Sequence, residues 1–367
     1  MNSIDTNMRF YIHSNCYITN GTNRSLIIDT ERDDFEFLPL EFAIKLIQYN
    51  SMYINEFVCS FEEKDVDTVK EYIIHLINKE YLFITKLITP IDYQEKPSFI
   101  SSKKNYTSII DIEETLESLE EFISKMKNEK LNINIVQLRF FKVTSINKLI
   151  LVLELFENTI VKNIQILGDF SDDINSISNL KNKFPRLQFI NNFNCKDTNE
   201  DELFNCDGCI IINSTRKINS EKDCGVISSK FFNKNSQNYS LSINHNSCLY
   251  KKISMDRHGD LKNCPSMIKS FGNIKSTSLS KVIADKFFQK LGKIKKENID
   301  SCKDCEFRNI CTDCRAYIEV PSNYHSKPLK CGYNPYTNVW EEWSTNPLKQ
   351  MAIEHYGMQH LVKKDAK

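Results

Sequence analysis

Seven cysteines in the last third of this 367-residue chain limit what it can fold into more than any other feature. They form one ordered series: Cys248, Cys264, Cys302, Cys305, Cys311, Cys314 and Cys331. The first two flank LYKKISMDRHGDLKN, which predicts a hairpin turning at His258-Gly259, and the next four form two C-x2-C pairs. A C-x2-C pair lets two thiolates from one turn face a single metal centre. Since few long apolar segments follow residue 240, apart from a predicted helix at 278–291, we expect metal to organise this region.

The cysteine content also indicates the compartment. The chain has thirteen cysteines, an odd number, and its first residues do not show the basic and apolar pattern of a secretory leader. Both observations favour metal ligands or buried thiols over a disulfide framework. No run of about eighteen apolar residues occurs, so we expect a cytoplasmic protein with no membrane partner. Zinc and iron–sulfur clusters both use such thiolates, and their spacing alone does not separate the two.

The cysteine order resembles the signature of SPASM domains, the auxiliary cluster domains of many radical SAM peptide-modifying enzymes. That signature runs C-x(9–15)-G-x4-C, then C-x2-C-x5-C-x3-C, then a distal cysteine. This chain departs from it at one place, because two residues rather than three separate Cys311 from Cys314. The resemblance implies one or two 4Fe-4S clusters, with zinc as the alternative metal.

The same resemblance implies two sets of ligands. One cluster would be held by Cys302, Cys305, Cys311 and Cys331. A second would be held by Cys248, Cys264 and Cys314. The second set is one ligand short, and the candidates to complete it are Cys224, His245, His258 and His325. Alternatively, one iron stays open. Each histidine is more simply an ordinary solvated or hydrogen-bonded side chain, because none has a second histidine at metal-site spacing.

A radical SAM enzyme also needs a C-x3-C-x2-C loop, whose three thiolates leave one iron free for S-adenosylmethionine, and the chain has no such loop. The nearest pattern, Cys195, Cys206 and Cys209, has the wrong spacing and is interpreted as structural thiols. No HExxH, GxSxG or well-spaced carboxylate pair offers another catalytic centre. We therefore expect no S-adenosylmethionine, and the catalytic residues are unknown.

The middle of the chain, 105–240, alternates helical and strand patterns. Helices are predicted at 111–128, 145–157 and 172–183. Strands are predicted at 132–141, 163–168, 187–192 and 209–213. Repeated αβ units imply an α/β fold with a mostly parallel sheet. About four such strands predict an open sheet, which is interpreted as a partial, degenerate radical SAM-type (β/α) barrel.

The first 90 residues predict a separate module. Residues 9–38 read as three short strands, a helix begins at Pro39, a second helix spans 62–79, and a strand follows at 81–85. We interpret these as a winged helix-turn-helix, with Cys16 and Cys59 in its core and a linker at 90–106. Nucleic acid is an unlikely partner, since 48 basic and 48 acidic side chains cancel and helix 62–79 is acidic.

The order of three strands and then helices resembles the RiPP recognition element, a domain that binds a leader peptide as an added strand. By that resemblance, the groove lies beside helix 62–79 and the strand residues Phe35, Glu36, Phe37 and Leu38. With a SPASM region at 241–367, the whole chain resembles the SPASM-domain peptide maturase of grasp-with-spasm systems. That resemblance implies a precursor peptide and an ATP-grasp ligase as partners. The alternatives are a redox-active iron–sulfur peptide-modifying enzyme and a zinc-ribbon, winged-helix regulator.

Overall fold

A computed structural model describes residues 4–88, 97, 105–170, 174–195, 201–206 and 208–363, with the backbone alone at 174–178. Most of the linker predicted at 90–106 lies outside the described residues. Within them, no helix is both long and apolar enough to cross a bilayer.

The N-terminal region combines strands and short helices. Its elements are β1 Arg9–Ile12, β2 Cys16–Asn20, β3 Arg24–Asp29, β4 Asp34–Pro39, α1 Leu40–Gln48, α2 Ile54–Val58, α3 Val66–Asn78 and β5 Leu82–Thr85. The first predicted strand is in fact two, because a turn closed by the Cys16 amide donating to the His13 carbonyl (2.9 Å) interrupts it. As a result β1 pairs with β5, while β2, β3 and β4 form an antiparallel sheet in that order. The winged-helix interpretation of this region stays a prediction.

The sheet of β2, β3 and β4 buries both of its faces. One face packs under the helices through Cys16, Ile27 and Leu38. The residues that alternate with them, Tyr17 and Ile28 among others, join a core with Tyr239, Phe307 and Tyr333 from the C-terminal region. Cys16 is therefore buried as predicted, but Cys59, just after α2, is exposed.

The central region confirms the mixed α/β class. Its elements are β6 Tyr106–Asp111, α4 Glu117–Asn128, β7 Ile133–Arg139, α5 Ile146–Glu154, β8 Asn163–Gly168, α6 Ile174–Lys183, β9 Leu187–Asn192, β10 Glu202–Cys206 and β11 Cys209–Asn213. Strands β6 to β9 and β11 are parallel neighbours, with antiparallel β10 at one edge. Buried apolar side chains of the sheet pack with those of α4 and α5 in one core.

Two central strands were missed in the sequence. Strand β6 occupies 106–111, where the end of a linker and the start of a helix were expected. Its Ile-Ile pair runs directly into the apolar pattern of α4, which conceals the boundary. Strand β10 begins at Glu202, in the stretch interpreted as a polar loop, because its exposed edge position does not require an alternating apolar pattern.

The C-terminal region has little regular structure. It contains α7 Ser236–Asn244, β12 Ser254–Met255, β13 Leu261–Lys262, α8 Leu279–Ala284, α9 Lys286–Leu291, β14 Tyr333–Asn334, β15 Val339–Trp340 and α10 Gln350–His355. The predicted hairpin is present, with Gly259 at φ +81° between β12 and β13. The single helix predicted at 278–291 is two helices, because Asp285 caps the second by accepting from the amides of Phe287 and Phe288. Strand β12 pairs with β6, so the described part of the central sheet has eight strands in the order β10-β11-β9-β8-β7-β6-β12-β13.

Candidate metal centres

We call Cys302, Cys305, Cys311 and Cys331 the first cysteine group. Tight turns present these thiols. The Cys305 amide donates to the Cys302 carbonyl (3.1 Å), and the Cys311 amide donates to the Phe307 carbonyl (2.9 Å). The Cys331 amide closes a further turn on Pro328 (3.1 Å). Three of the four cysteines are buried, and Cys305 is half-buried.

The members of the first group are electrostatic neighbours. Burial raises the pKa of Cys302 to about 12, and the charge of Cys331 adds to that increase. Burial also raises the pKa of Cys311, where Cys331 again contributes. Burial and then the charge of Cys311 raise the pKa of Cys305. The charges of Cys331 and Cys311 therefore act on the other thiols of the group, and the sharing of one cluster by all four stays a prediction.

A buried lysine contacts a thiol of the first group. Lys296 is 5% exposed, and its ammonium donates to the Cys311 sulfur (3.0 Å) and to the Thr312 carbonyl (3.1 Å). A cation at this position offsets the negative charge that metal-bound thiolates place in the interior.

We call Cys224, Cys248, Cys264 and Cys314 the second cysteine group. Burial raises the pKa of Cys314 to about 12, with further increases from Cys248 and Cys264. Cys224 lies against the same set, because the Tyr317 hydroxyl, whose pKa burial raises, also feels the charges of Cys314, Cys224 and Cys264. The charges of Cys248 and Cys264 therefore act on Cys314, and Cys224 acts on the same tyrosine as two of them. A cluster shared by these thiols stays a prediction.

The backbone beside Cys224 approaches Cys314 closely. Gly225 follows at φ +79°, and a Cβ on it would lie 2.8 Å from the Cys314 sulfur. Any other residue would collide with that sulfur and adopt a strained conformation. Gly225 thus allows the Cys224 segment to pack directly on Cys314.

The carboxyl ends of β6 and β7 border the second group. Asp111 ends β6 and Arg139 ends β7, and they form a buried ion pair with Nε–Oδ1 and Nη2–Oδ2 distances of 2.6 and 2.9 Å. The remaining terminal nitrogen of Arg139 donates to the Cys224 sulfur (3.1 Å). The sequence analysis missed both residues, and the only signal was that each polar residue ends an apolar strand.

The donor set fits iron–sulfur clusters. All eight candidate ligands are thiols. Cationic donors reach Cys311 in the first group, and Cys224 and Cys248 in the second. Within the described part of the chain, no three His, Cys, Asp or Glu side chains come close enough to hold one metal ion. A zinc ion requires its four sulfurs within about 2.3 Å of one point, whereas a four-iron cluster binds each thiolate at a separate iron.

The three candidate histidines make other contacts. His245 stacks on Tyr250 with 3.5 Å between ring centroids. The Nδ1 of His325 bonds the Asn298 carbonyl at 2.8 Å. His258 occupies the turn between β12 and β13, where its amide donates to Asp256. These contacts suit the simpler interpretation of the histidines.

The central cysteines do not gather at one place. Cys206 and Cys209 face each other across the β10–β11 turn. Cys209 begins β11, whereas Cys195 follows the end of the parallel strand β9. Cys195 therefore lies at the carboxyl end of the parallel strands and Cys209 at their amino end. This separation agrees with the interpretation of these cysteines as structural thiols.

The predicted peptide-binding residues all lie on β4, whose described sheet partner is β3. Phe37 is 41% exposed, while Leu38 is 2% exposed and packs in the core under the helices. Glu36 points towards α3, where His75 and Lys79 lie 3.5 and 3.9 Å from its carboxylate. Phe35 and Phe37 point the other way and contact the ring of Phe307, two residues after Cys305.

Comparison with known proteins supports a cluster-binding domain. Residues 248–306 match the SPASM family, an iron–sulfur cluster-binding domain, so this stretch of the chain is a SPASM-type domain. The matched stretch contains Cys248, Cys264, Cys302 and Cys305. No curated protein matches this chain.

Two solved structures share similarity with most of the chain. One is SuiB of Streptococcus suis bound to S-adenosylmethionine, with 10% identity and a TM-score of 0.38, covering 87% of this chain and 99% of that one. The other is SuiB of Streptococcus suis bound to the precursor peptide SuiA, with 10% identity and a TM-score of 0.34, covering 84% and 96%. The expectation that this chain does not use S-adenosylmethionine stays a prediction.

Proposed function

We propose that this chain is a peptide-maturation protein that holds two 4Fe-4S clusters and captures a precursor peptide as an added strand on β4. The observation that carries this proposal is the SPASM match at 248–306, because both cysteine groups lie within or beside it and four of their eight thiols are buried. Bound clusters would supply rigid, redox-capable centres to a region with little regular structure. The surrounding residues bury the thiolates and offset their charge.

Strand β4 offers the peptide two different surfaces. Strand β4 is an edge of the described three-stranded sheet, and an added strand would pair with the main chain on that edge, which is the source of affinity in this kind of recognition. Alternate side chains of the peptide would meet the aromatic surface of Phe35 and Phe37 or the charged surface around Glu36. The two surfaces provide selectivity.

Strand β4, which we call the peptide edge, contacts the loop that carries the first cysteine group. The Phe307 ring lies 6.2 and 5.8 Å from the rings of Phe35 and Phe37. Arg24 of β3 stacks on Phe37 at 3.8 Å and bonds Glu306 at 2.7 Å. A cluster on the first group would therefore hold the strand that receives the peptide in a fixed place.

The bond-forming step is assigned to a partner. The resemblance to grasp-with-spasm maturases supports an ATP-grasp ligase, which activates a side-chain carboxylate with ATP and forms an ester or amide. In this proposal the chain recruits the precursor and presents it, and no residue of the chain is assigned a catalytic role.

Anaerobic purification tests the clusters. We expect a brown protein with about eight iron and eight acid-labile sulfide per chain, as two 4Fe-4S clusters require. A colourless protein with stoichiometric zinc and no sulfide would contradict the proposal and favour the zinc-ribbon regulator.

Fluorescence anisotropy tests peptide capture, with a labelled synthetic peptide encoded by any short open reading frame that genome sequencing places beside the gene for this chain. Phe37→Ala is expected to weaken binding about tenfold, equivalent to about 1.4 kcal/mol. The matched control is Leu151→Ala on α5 of the central region, which removes an apolar side chain that is 56% exposed, against 41% for Phe37. Equal binding by both variants would place recognition elsewhere.

Mass spectrometry tests the presenting role. We expect no mass change in the peptide after incubation with the loaded protein, dithionite and S-adenosylmethionine. Formation of deoxyadenosine or a modified peptide would instead establish the redox-active enzyme.

A further inference from the structure

The Asp111–Arg139 pair is the most enclosed ion pair at the carboxyl edge of the described central sheet. Asp111 and Arg139 are adjacent across β6 and β7, and their side chains are each 3% exposed. Two of the three guanidinium nitrogens bond the carboxylate, which fixes the plane of the group. The third nitrogen is thereby aimed in one direction.

That direction is the sulfur of Cys224, 3.1 Å away. The backbone at Cys224 is also held from the other side. Its amide donates to the Glu221 carbonyl (3.2 Å), and its carbonyl accepts from Lys330 (2.7 Å). Gly225 then packs this segment on Cys314. One contact to the thiol and two to the backbone position this cysteine more closely than packing alone requires.

We propose that Cys224 is the fourth thiolate of the second cluster and that Arg139, clamped by Asp111, is the positioning residue that orients its sulfur. This inference rests on the proposed function, because it presupposes a cluster on Cys248, Cys264 and Cys314. Those three thiolates leave one iron without a protein ligand. The residue after Cys224, Gly225, packs on the Cys314 sulfur, so Cys224 lies beside this set and supplies the missing donor.

Charge supports the same assignment. Arg139 is a buried cation whose guanidinium contacts both the Asp111 carboxylate and the Cys224 sulfur. Asp111 neutralises the positive charge of Arg139. A buried cluster with four thiolates would add negative charge next to the same guanidinium, which stabilises that charge. The central sheet therefore contributes to the second cluster through one aimed N–H group.

The first test compares Cys224→Ser with Cys209→Ser, a buried thiol at the far end of the sheet. Both whole-chain variants are purified anaerobically, and their iron, sulfide and low-temperature EPR spectra after dithionite reduction are compared with wild type. We expect Cys224→Ser to lose about half of the iron or to shift the g values of one cluster, with Cys209→Ser unchanged. Wild-type iron content and spectrum in Cys224→Ser would overturn the inference.

The second test measures the reduction potential of each cluster in Arg139→Lys and in the double variant Asp111→Leu, Arg139→Met. The double variant removes both charges together and avoids leaving one buried and unpaired. Losing an N–H···S bond is expected to lower the potential of one cluster, with a smaller shift in Arg139→Lys and none at the other cluster. Unchanged reduction potentials in the double variant would show that Arg139 only forms a structural ion pair between β6 and β7 and does not affect the cluster.

The two proposals fail differently. A wild-type protein without iron or sulfide would overturn the proposed function itself. An iron-loaded wild type with an unaffected Cys224→Ser variant would overturn only the assignment of Cys224.

Discussion

The two cysteine groups differ in how the chain assembles them. The first group comes from a single stretch of 30 residues, 302–331, and packs against the N-terminal sheet. The second draws on residues from 224 to 314 and adjoins the carboxyl edge of the central sheet. A local group can organise its own loops, whereas a dispersed group depends on elements already in place. We therefore expect loss of the first cluster to lower the stability of the protein and its peptide binding. The properties of the second cluster should depend on the central sheet.

The largest expected effect follows from removing one cluster at a time. Cys302→Ser with Cys305→Ser should lower the Tm by about 10 °C or more, because the first group shares a core with Tyr17 and Ile28 of the N-terminal sheet. Anaerobic thermal unfolding followed by circular dichroism measures this change.

The matched double variant is Cys248→Ser with Cys264→Ser in the second group. It should lose its cluster with a smaller change in Tm. Equal losses of Tm would remove the distinction between a stabilising cluster and a dependent one.

The next effect concerns Phe307, which connects the first group to the peptide edge. It is 4% exposed and lies 5.0 Å from the rings of both Phe232 and Tyr333. Truncation to alanine should lower the free energy of unfolding by about 3–5 kcal/mol. Urea unfolding measures the cost, and anisotropy with the labelled precursor measures binding at temperatures where the variant is folded.

Phe288→Ala is the control for Phe307→Ala, because Phe288 is also 4% exposed but packs in the core of the central sheet. Both variants should lose stability, and only Phe307→Ala should weaken peptide binding. If Phe288→Ala weakened binding as much, the first group would have no special connection to β4.

The difference between the groups also explains what the sequence could predict. Two C-x2-C pairs close together in the chain are a local signal of a metal site, but their spacing does not separate Cys311 from Cys314. The division into two groups came from the resemblance to SPASM domains. The second group includes a thiol that lies 24 residues before Cys248, and only the fold brings Cys224 beside Cys314. Arg139 and Asp111 gave still less signal, because a polar residue at a strand end is common.

The fold shows the same division. Strand β8 alternates with a period of two, and β7 and β9 carry buried apolar residues; all three were placed within about two residues. Strand β10 is an edge strand with four exposed residues and has no such pattern. The break between α8 and α9 depends on one capping side chain, Asp285, inside an otherwise continuous apolar pattern. Local patterns therefore predicted the buried elements, and the remainder depends on tertiary contacts.

The smallest expected effect isolates the contact between the N-terminal sheet and the first group. The Arg24 guanidinium stacks on Phe37 at 3.8 Å and bonds both Glu306 and the Tyr333 hydroxyl. Arg24→Lys keeps the charge but loses the planar stacking and one hydrogen bond, at a cost of about 1 kcal/mol in the free energy of unfolding. The more specific consequence is exposure of the first cluster, so a ferrous chelator such as bathophenanthroline should extract its iron about threefold faster, as a loss of roughly 0.6 kcal/mol in local protection predicts.

Arg9→Lys is the matched control for this last prediction. Arg9 stacks on Tyr53 at 4.1 Å and donates to the Ser51 carbonyl at 2.8 Å, so the substitution removes the same kinds of contact within the N-terminal region but away from the cysteines. It should lower the free energy of unfolding by a similar amount and leave iron extraction unchanged. Equal extraction rates in the two variants would mean that general stability, and not the contact of β3 and β4 with 302–331, protects the first cluster. If the rate of iron extraction rises only in Arg24→Lys, the N-terminal sheet protects the first cluster directly. The second group is not expected to have this protection.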